Sequence, residues 1–143
     1  MPSMKRRLSH DHALGEEPAR DHDPLLDRRA LARASQAMRC LPFRRAFYDH
    51  VAEQALSSAT FCRLPEAGQL CWGRMGPERV EAHFIWLIRL GVLRREVDGQ
   101  GLTERVRLTP MGRELLGSWR GEIPRAPLAE RIQHQLRRSR PRL

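Results

Sequence analysis

Apolar positions along this chain recur with two periods, broken up by proline, glycine and charge. Leu31, Ala34, Met38 and Leu41 fall at three- and four-residue steps. That spacing predicts a helix over residues 24–39, with Asp23 or Asp27 placed to cap it and Pro42 closing an N-terminal segment 24–41. Phe43, Phe47, Val51 and Ala55 form the stripe of a second helix over 43–56, with Ala46 beside it. Thr60 to Arg63 is a short β-favouring run, and Pro65 opens a short helix over 65–71. A longer helix is predicted over 77–90. Pro77 suits its first turn, Gly91 its stop, and Val80, Phe84, Leu87 and Ile88 its core face.

The period then changes to two. Leu102, Glu104, Val106 and Leu108 alternate with Thr103, Arg105, Arg107 and Thr109, the pattern of a strand with one buried face. Residues 92–97 are its partner, and the four-residue link Asp98-Gly99-Gln100-Gly101 makes a hairpin. With Val106 and Leu108 inward, Arg105 and Arg107 face outward, beside Arg94 and Glu96. Thr109-Pro110 caps a further helix carrying Met111, Leu115, Leu116 and Trp119. Near the end, Leu128, Ile132 and Leu136 draw a narrow apolar stripe on an arginine-rich helix, suited to packing on the domain or on a second copy. Residues 1–23 have few apolar positions and no period, and read as a disordered tail. The predicted class is mainly α with a small β-hairpin, α+β. Its predicted parts are the tail 1–23, the helix segment 24–41, a domain 42–120, and a basic C-terminal helix and tail 121–143.

Composition narrows the function. The chain has 143 residues and a net charge of +9, a balance that favours polyanions such as DNA, RNA or an acidic membrane. Lys5 is the only lysine, a bias that runs through the tails and so reflects a GC-rich genome more than a site. Cys40, Cys62 and Cys71 are odd in number and lack a CxxC pair, which argues against a disulfide framework or zinc site. His10, His12 and His22 lie among acids in the tail and read as solvated charge rather than as a metal site. No secretory signal is visible, and the most apolar stretch, "FIWLIRLGVL" (84–93), is too short for a membrane span and holds Arg89. A cytoplasmic, nucleoid-associated protein is expected.

Catalytic motifs are missing: no phosphate loop, no HExxH and no GxSxG. Asp49 and His50 are neighbours on a helix and so point in different directions. The glycines at 99 and 101 belong to the hairpin. The chain is read as a non-enzyme with no cofactor and no metal.

Three segments carry a resemblance: "FCRLPEAGQLC", "MGPERVEAHFIWLIRLGVLRRE" and "RVRLTPMGRELL". In this order they resemble the winged helix-turn-helix domain of small bacterial transcription regulators such as the MarR and PadR families, over roughly residues 43–117. The resemblance implies a winged helix-turn-helix with flanking N- and C-terminal helices that binds double-stranded DNA and regulates transcription. It implies that residues 65–71 brace the helix 77–90, which enters the major groove. Arg74, Glu78, Arg79, Ala82 and His83 then reach DNA, with Arg79 at guanine. The wing 92–109 sets Arg94, Arg105 and Arg107 on the backbone. A homodimer through the N- and C-terminal helices is the expected assembly.

The helix departs from the usual pattern at Glu78, Glu81, Ile85 and Trp86, which leave it apolar nearly all round. Such a helix needs cover from the N-terminal helix or from a partner subunit. Two alternatives therefore stand beside DNA regulation. One is a winged-helix protein-interaction module docking through Ile85 and Trp86. The other is an RNA-associated basic protein using its arginine-rich ends. The run "RRSRPR" (137–142) suits either a solvated tail or nonspecific nucleic-acid affinity.

Overall fold

The computed structural model describes residues 23–139, so the N-terminal tail reading and its histidines lie outside the described residues. These residues form seven helices and one antiparallel hairpin, a mainly α arrangement of α+β type.

Helix α1 (Pro24–Cys40) starts where Asp23 accepts a hydrogen bond from the Leu25 amide and Pro24 fills the first turn. It buries Ala34, Ala37, Met38 and Cys40. Helix α2 (Arg45–Glu53) begins later than its apolar stripe suggests, because Phe43 is held extended in a bridge with Cys71. Phe47, Tyr48 and Val51 are buried from it, while Ala46 is exposed.

Residues 60–63 are not β-structure. They lie in helix α3 (Ser58–Arg63), whose N-cap Ser57 accepts from the Thr60 amide. The cap and the burial of Phe61 override local β propensity. The strand-like contact falls earlier, where Leu56 and Val106 exchange backbone hydrogen bonds of 3.1 and 2.9 Å. The short helix predicted at 65–71 is a single turn, α4 (Ala67–Leu70).

Helix α5 (Pro77–Arg89) ends as predicted at Gly91, whose φ is +85°. The Val92 amide reaches back to the Leu87 carbonyl and the Gly91 amide to that of Ile88, the paired bonds of a Schellman stop. Strands β1 (Leu93–Asp98) and β2 (Gly101–Leu108) follow. Leu93 pairs with Leu108, Arg94 with Arg107 and Asp98 with Gly101, with a bulge between Arg95 and Val97. The last pairing shortens the connection to Gly99-Gln100, two residues rather than four. Leu102, expected on the buried face, is 76% exposed because the hairpin tip extends past the core.

Helix α6 (Pro110–Gly117) is capped by Thr109, whose side chain accepts from the Gly112 amide. Trp119 lies beyond this helix, and its carbonyl accepts from Arg45. Helix α7 (Leu128–Ser139) closes the described chain.

One core cluster draws on α1, α2, α3, α5, the hairpin and α6. At its centre Phe43 stacks on Phe47 with centroids 4.2 Å apart, and Tyr48, Phe61 and Phe84 surround them. The segment after α6 returns to this body. Glu122 accepts from the Arg45 amide (2.7 Å) and the Arg44 guanidinium (3.0 Å), which caps α2 from a distance. Arg44 and Arg125 both lie over the Trp72 ring.

Candidate nucleic-acid interface

Helix α5 is fixed by its apolar side. Val80, Phe84 and Leu87 are fully buried, and α3 packs against the helix. The bracing element is therefore Ser58–Arg63 rather than residues 65–71. Thirteen residues, 64–76, separate brace from α5, longer than a tight helix-turn-helix connection.

Beyond its first residue, Pro77, the outward residues of α5 are Glu78, Arg79, Ala82, Ile85 and Arg89. Glu78, Arg79 and Ala82 are thus exposed as the sequence suggests. Arg74 is exposed just ahead of the helix, and Arg94 is exposed on β1. Arg89 was missed, although its four-residue step from Ile85 places it on the same stripe.

His83 is a correction: it is buried and cannot face a groove. Its Nδ1 lies 2.7 Å from Arg138 on α7, and its ring meets Phe43 edge-on. Burial, reinforced by the charges of Arg138 and Arg79, lowers its pKa to about 4, so the ring is neutral near pH 7.

Neighbouring contacts come from the same helix α7. Arg138 donates to the Ala82 carbonyl (2.9 Å) and lies over the Trp86 ring, while Trp86 donates to His134 Nε2 (3.3 Å). Cover for Trp86 is therefore the C-terminal helix, not the N-terminal one. Ile85 remains exposed. Nothing in local sequence marks Arg138 or His134 for this role, because their partners lie some fifty residues away in the chain.

On the other flank an ion pair between Glu81 and Arg95 joins α5 to β1, and Arg95 also donates to the Glu104 carbonyl at 2.8 Å. Glu81 thus acts within the protein. Arg105 and Arg107 face outward as predicted, but both donate to Glu96, at 2.9 and 2.7 Å. These hydrogen bonds hold the Glu96 carboxyl below its usual pKa. Among the described residues Arg74, Arg79, Arg89 and Arg94 enter no ion pair.

No group of three or more metal-binding side chains occurs among the described residues. Asp49 pairs with Arg45 one turn earlier. Burial raises the pKa of Cys40, Cys62 and Cys71, which suits packing rather than reactivity. No helix among the described residues is long and apolar enough to cross a membrane.

Comparison with known proteins finds a family model described as Npun_F0494-like, matching residues 25–138, from the first turn of α1 to Arg138 on α7. No curated protein and no solved structure matches the chain.

Proposed function

The chain belongs to the Npun_F0494-like family, and we propose that it is a winged-helix protein that binds double-stranded DNA and regulates transcription. The observation that carries this reading is the exposed stripe of α5, anchored to the hairpin by Glu81 and Arg95, with Arg74, Arg79, Arg89 and Arg94 unpaired on and around it. The order helix, bridge, brace, α5, hairpin and capped helix supports the resemblance. The net charge of +9 supports a polyanionic partner.

In this reading Arg79 reads a guanine edge, Glu78 accepts from a cytosine amino group, and Ala82 and Ile85 meet thymine methyls. Arg94 holds a phosphate. His83 reads no base. Arg105 and Arg107 reach phosphate only by leaving Glu96.

Selection of random duplex DNA by the full-length protein at physiological salt tests the reading. A shared motif is expected. Arg79→Ala should erase preference at one base position, at about 1–3 kcal/mol of discrimination. Arg94→Ala should weaken all sequences alike. Sequence preference unchanged by Arg79→Ala would reject the groove assignment. The exposed Ile85 favours a second reading, a protein-interaction module, to which absence of duplex binding would move the assignment. Preference for RNA in direct competition would instead select the RNA-associated reading.

A further inference from the structure

Helix α7 is mounted with its polar side inward. At its start Glu130 pairs with Arg39 of α1 (3.5 Å), and Arg131 donates to the Ala126 carbonyl (3.0 Å). At its end His134 and Arg138 bind Trp86, His83 and the Ala82 carbonyl on α5. Anchors at both ends fix the rotation of the helix about its axis. Leu128, Ile132 and Leu136 consequently point away from the protein, 62, 51 and 62% exposed. An amphipathic helix ordinarily does the reverse.

The outward face is also nearly uncharged. Its other exposed residues are Ala129, Gln133, Gln135, Arg137 and Ser139. In a chain that is 30% charged, Arg137 is the single charge on this face. A surface for nucleic acid or anionic lipid would display its cations, yet Arg131 and Arg138 are turned inward. A neutral stripe with equal four-residue steps on either side of Ile132 is complementary to its own antiparallel image.

We propose that α7 is the seam of a homodimer, in which Ile132 meets Ile132 of a second copy on a twofold axis and Leu128 lies opposite Leu136. No like charges face each other at this axis. The stripe is small against the roughly 800 Å² per partner of a standard interface, so the dimer is weak, with a Kd on the order of micromolar. The proposal does not depend on the DNA reading and is measured without DNA.

Sedimentation equilibrium of the full chain, from about 1 to 300 μM, tests it across that range. A reversible monomer–dimer equilibrium is expected. Ile132→Glu should raise Kd more than tenfold while leaving circular dichroism and, at concentrations below Kd where both chains are monomers, melting temperature unchanged, since Ile132 is half exposed. Register is read by mild oxidation. Ile132→Cys should cross-link to itself. Leu128→Cys should cross-link only when mixed with Leu136→Cys, and the wild-type chain with its three thiols serves as the background. A monomer at every concentration overturns the proposal, as does a dimer indifferent to Ile132→Glu, which would place the contact elsewhere, for instance at the exposed Leu25 and Leu26 of α1. A monomer that binds anionic vesicles through Ile132 overturns it in favour of lipid.

Discussion

Among the described residues, two buried side-chain polar atoms lack a hydrogen-bond partner: the Tyr48 hydroxyl and His83 Nε2. Tyr48 lies wholly inside the aromatic cluster, and burial pushes its pKa up, so the phenol stays neutral. An unsatisfied buried hydroxyl costs about 1–3 kcal/mol. Tyr48→Phe keeps the ring and removes that cost, so thermal unfolding should show an unchanged or higher melting temperature. His83 carries a pH dependence. Its folded pKa of about 4 lies below the ordinary 6.5, and burial also lowers that of His134. The unfolded chain therefore takes up protons first. The stabilisation is complete above pH 6.5 and declines as the pH falls toward 4, by at most about 3 kcal/mol for His83. Melting temperature should fall between pH 7 and pH 5, above the range where carboxylates titrate. His83→Asn, which retains an acceptor for Arg138, should flatten that slope.

The joint between α5, the hairpin and α6 is built on backbone proximity. A methyl group at Gly112 would lie 2.6 Å from a Leu108 side-chain carbon and 2.7 Å from the Val92 carbonyl oxygen. The latter is backbone at the exit of α5 and cannot yield without moving the strand. Gly112→Ala should destabilise the fold by about 1–3 kcal/mol, seen in urea unfolding as a lower midpoint at unchanged slope. Thr109 serves the same joint, capping α6 while its hydroxyl lies against the carbonyls of Gly91 and Val92. Thr109→Val keeps the shape and loses the cap, at about 1 kcal/mol in the same assay. This region was legible in the sequence because its signals are local: Pro77, Gly91, the Asp-Gly turn and Thr109-Pro110 each act within a few residues. The segment 60–63 was misread because the Ser57 cap and the pocket for Phe61 outweigh β propensity. His83 was misplaced for a different reason. Helical spacing sets it on the edge of the exposed stripe, and its burial depends on distant partners, Phe43 and Arg138 of α7. The outward stripe of α7 was visible as a pattern, but its orientation depends on polar contacts with α1 and α5.

Charge across the whole molecule is less available than its sum implies. A net charge of +9 suggests a broad cationic surface, yet guanidiniums of Arg39, Arg44, Arg95, Arg105 and Arg107 are engaged with Glu130, Glu122, Glu81 and Glu96. If the chain binds duplex DNA, the ions displaced from the duplex should number with its unpaired arginines, not with its net charge. Each phosphate neutralised lowers the slope of log K against log salt by about 0.9. Glu96→Gln should release Arg107 and leave Arg105 with only its 3.8 Å contact to Asp98, so it should tighten binding to every sequence and steepen the slope by about 1 to 2. Acidification below the depressed pKa of Glu96 acts in the same direction. The hairpin therefore holds latent charge: exchanging one carboxylate for an amide takes residues 93–108 from four arginines against three acids to four against two, a change confined to the ribbon that leaves the exposed face of α5 as it is.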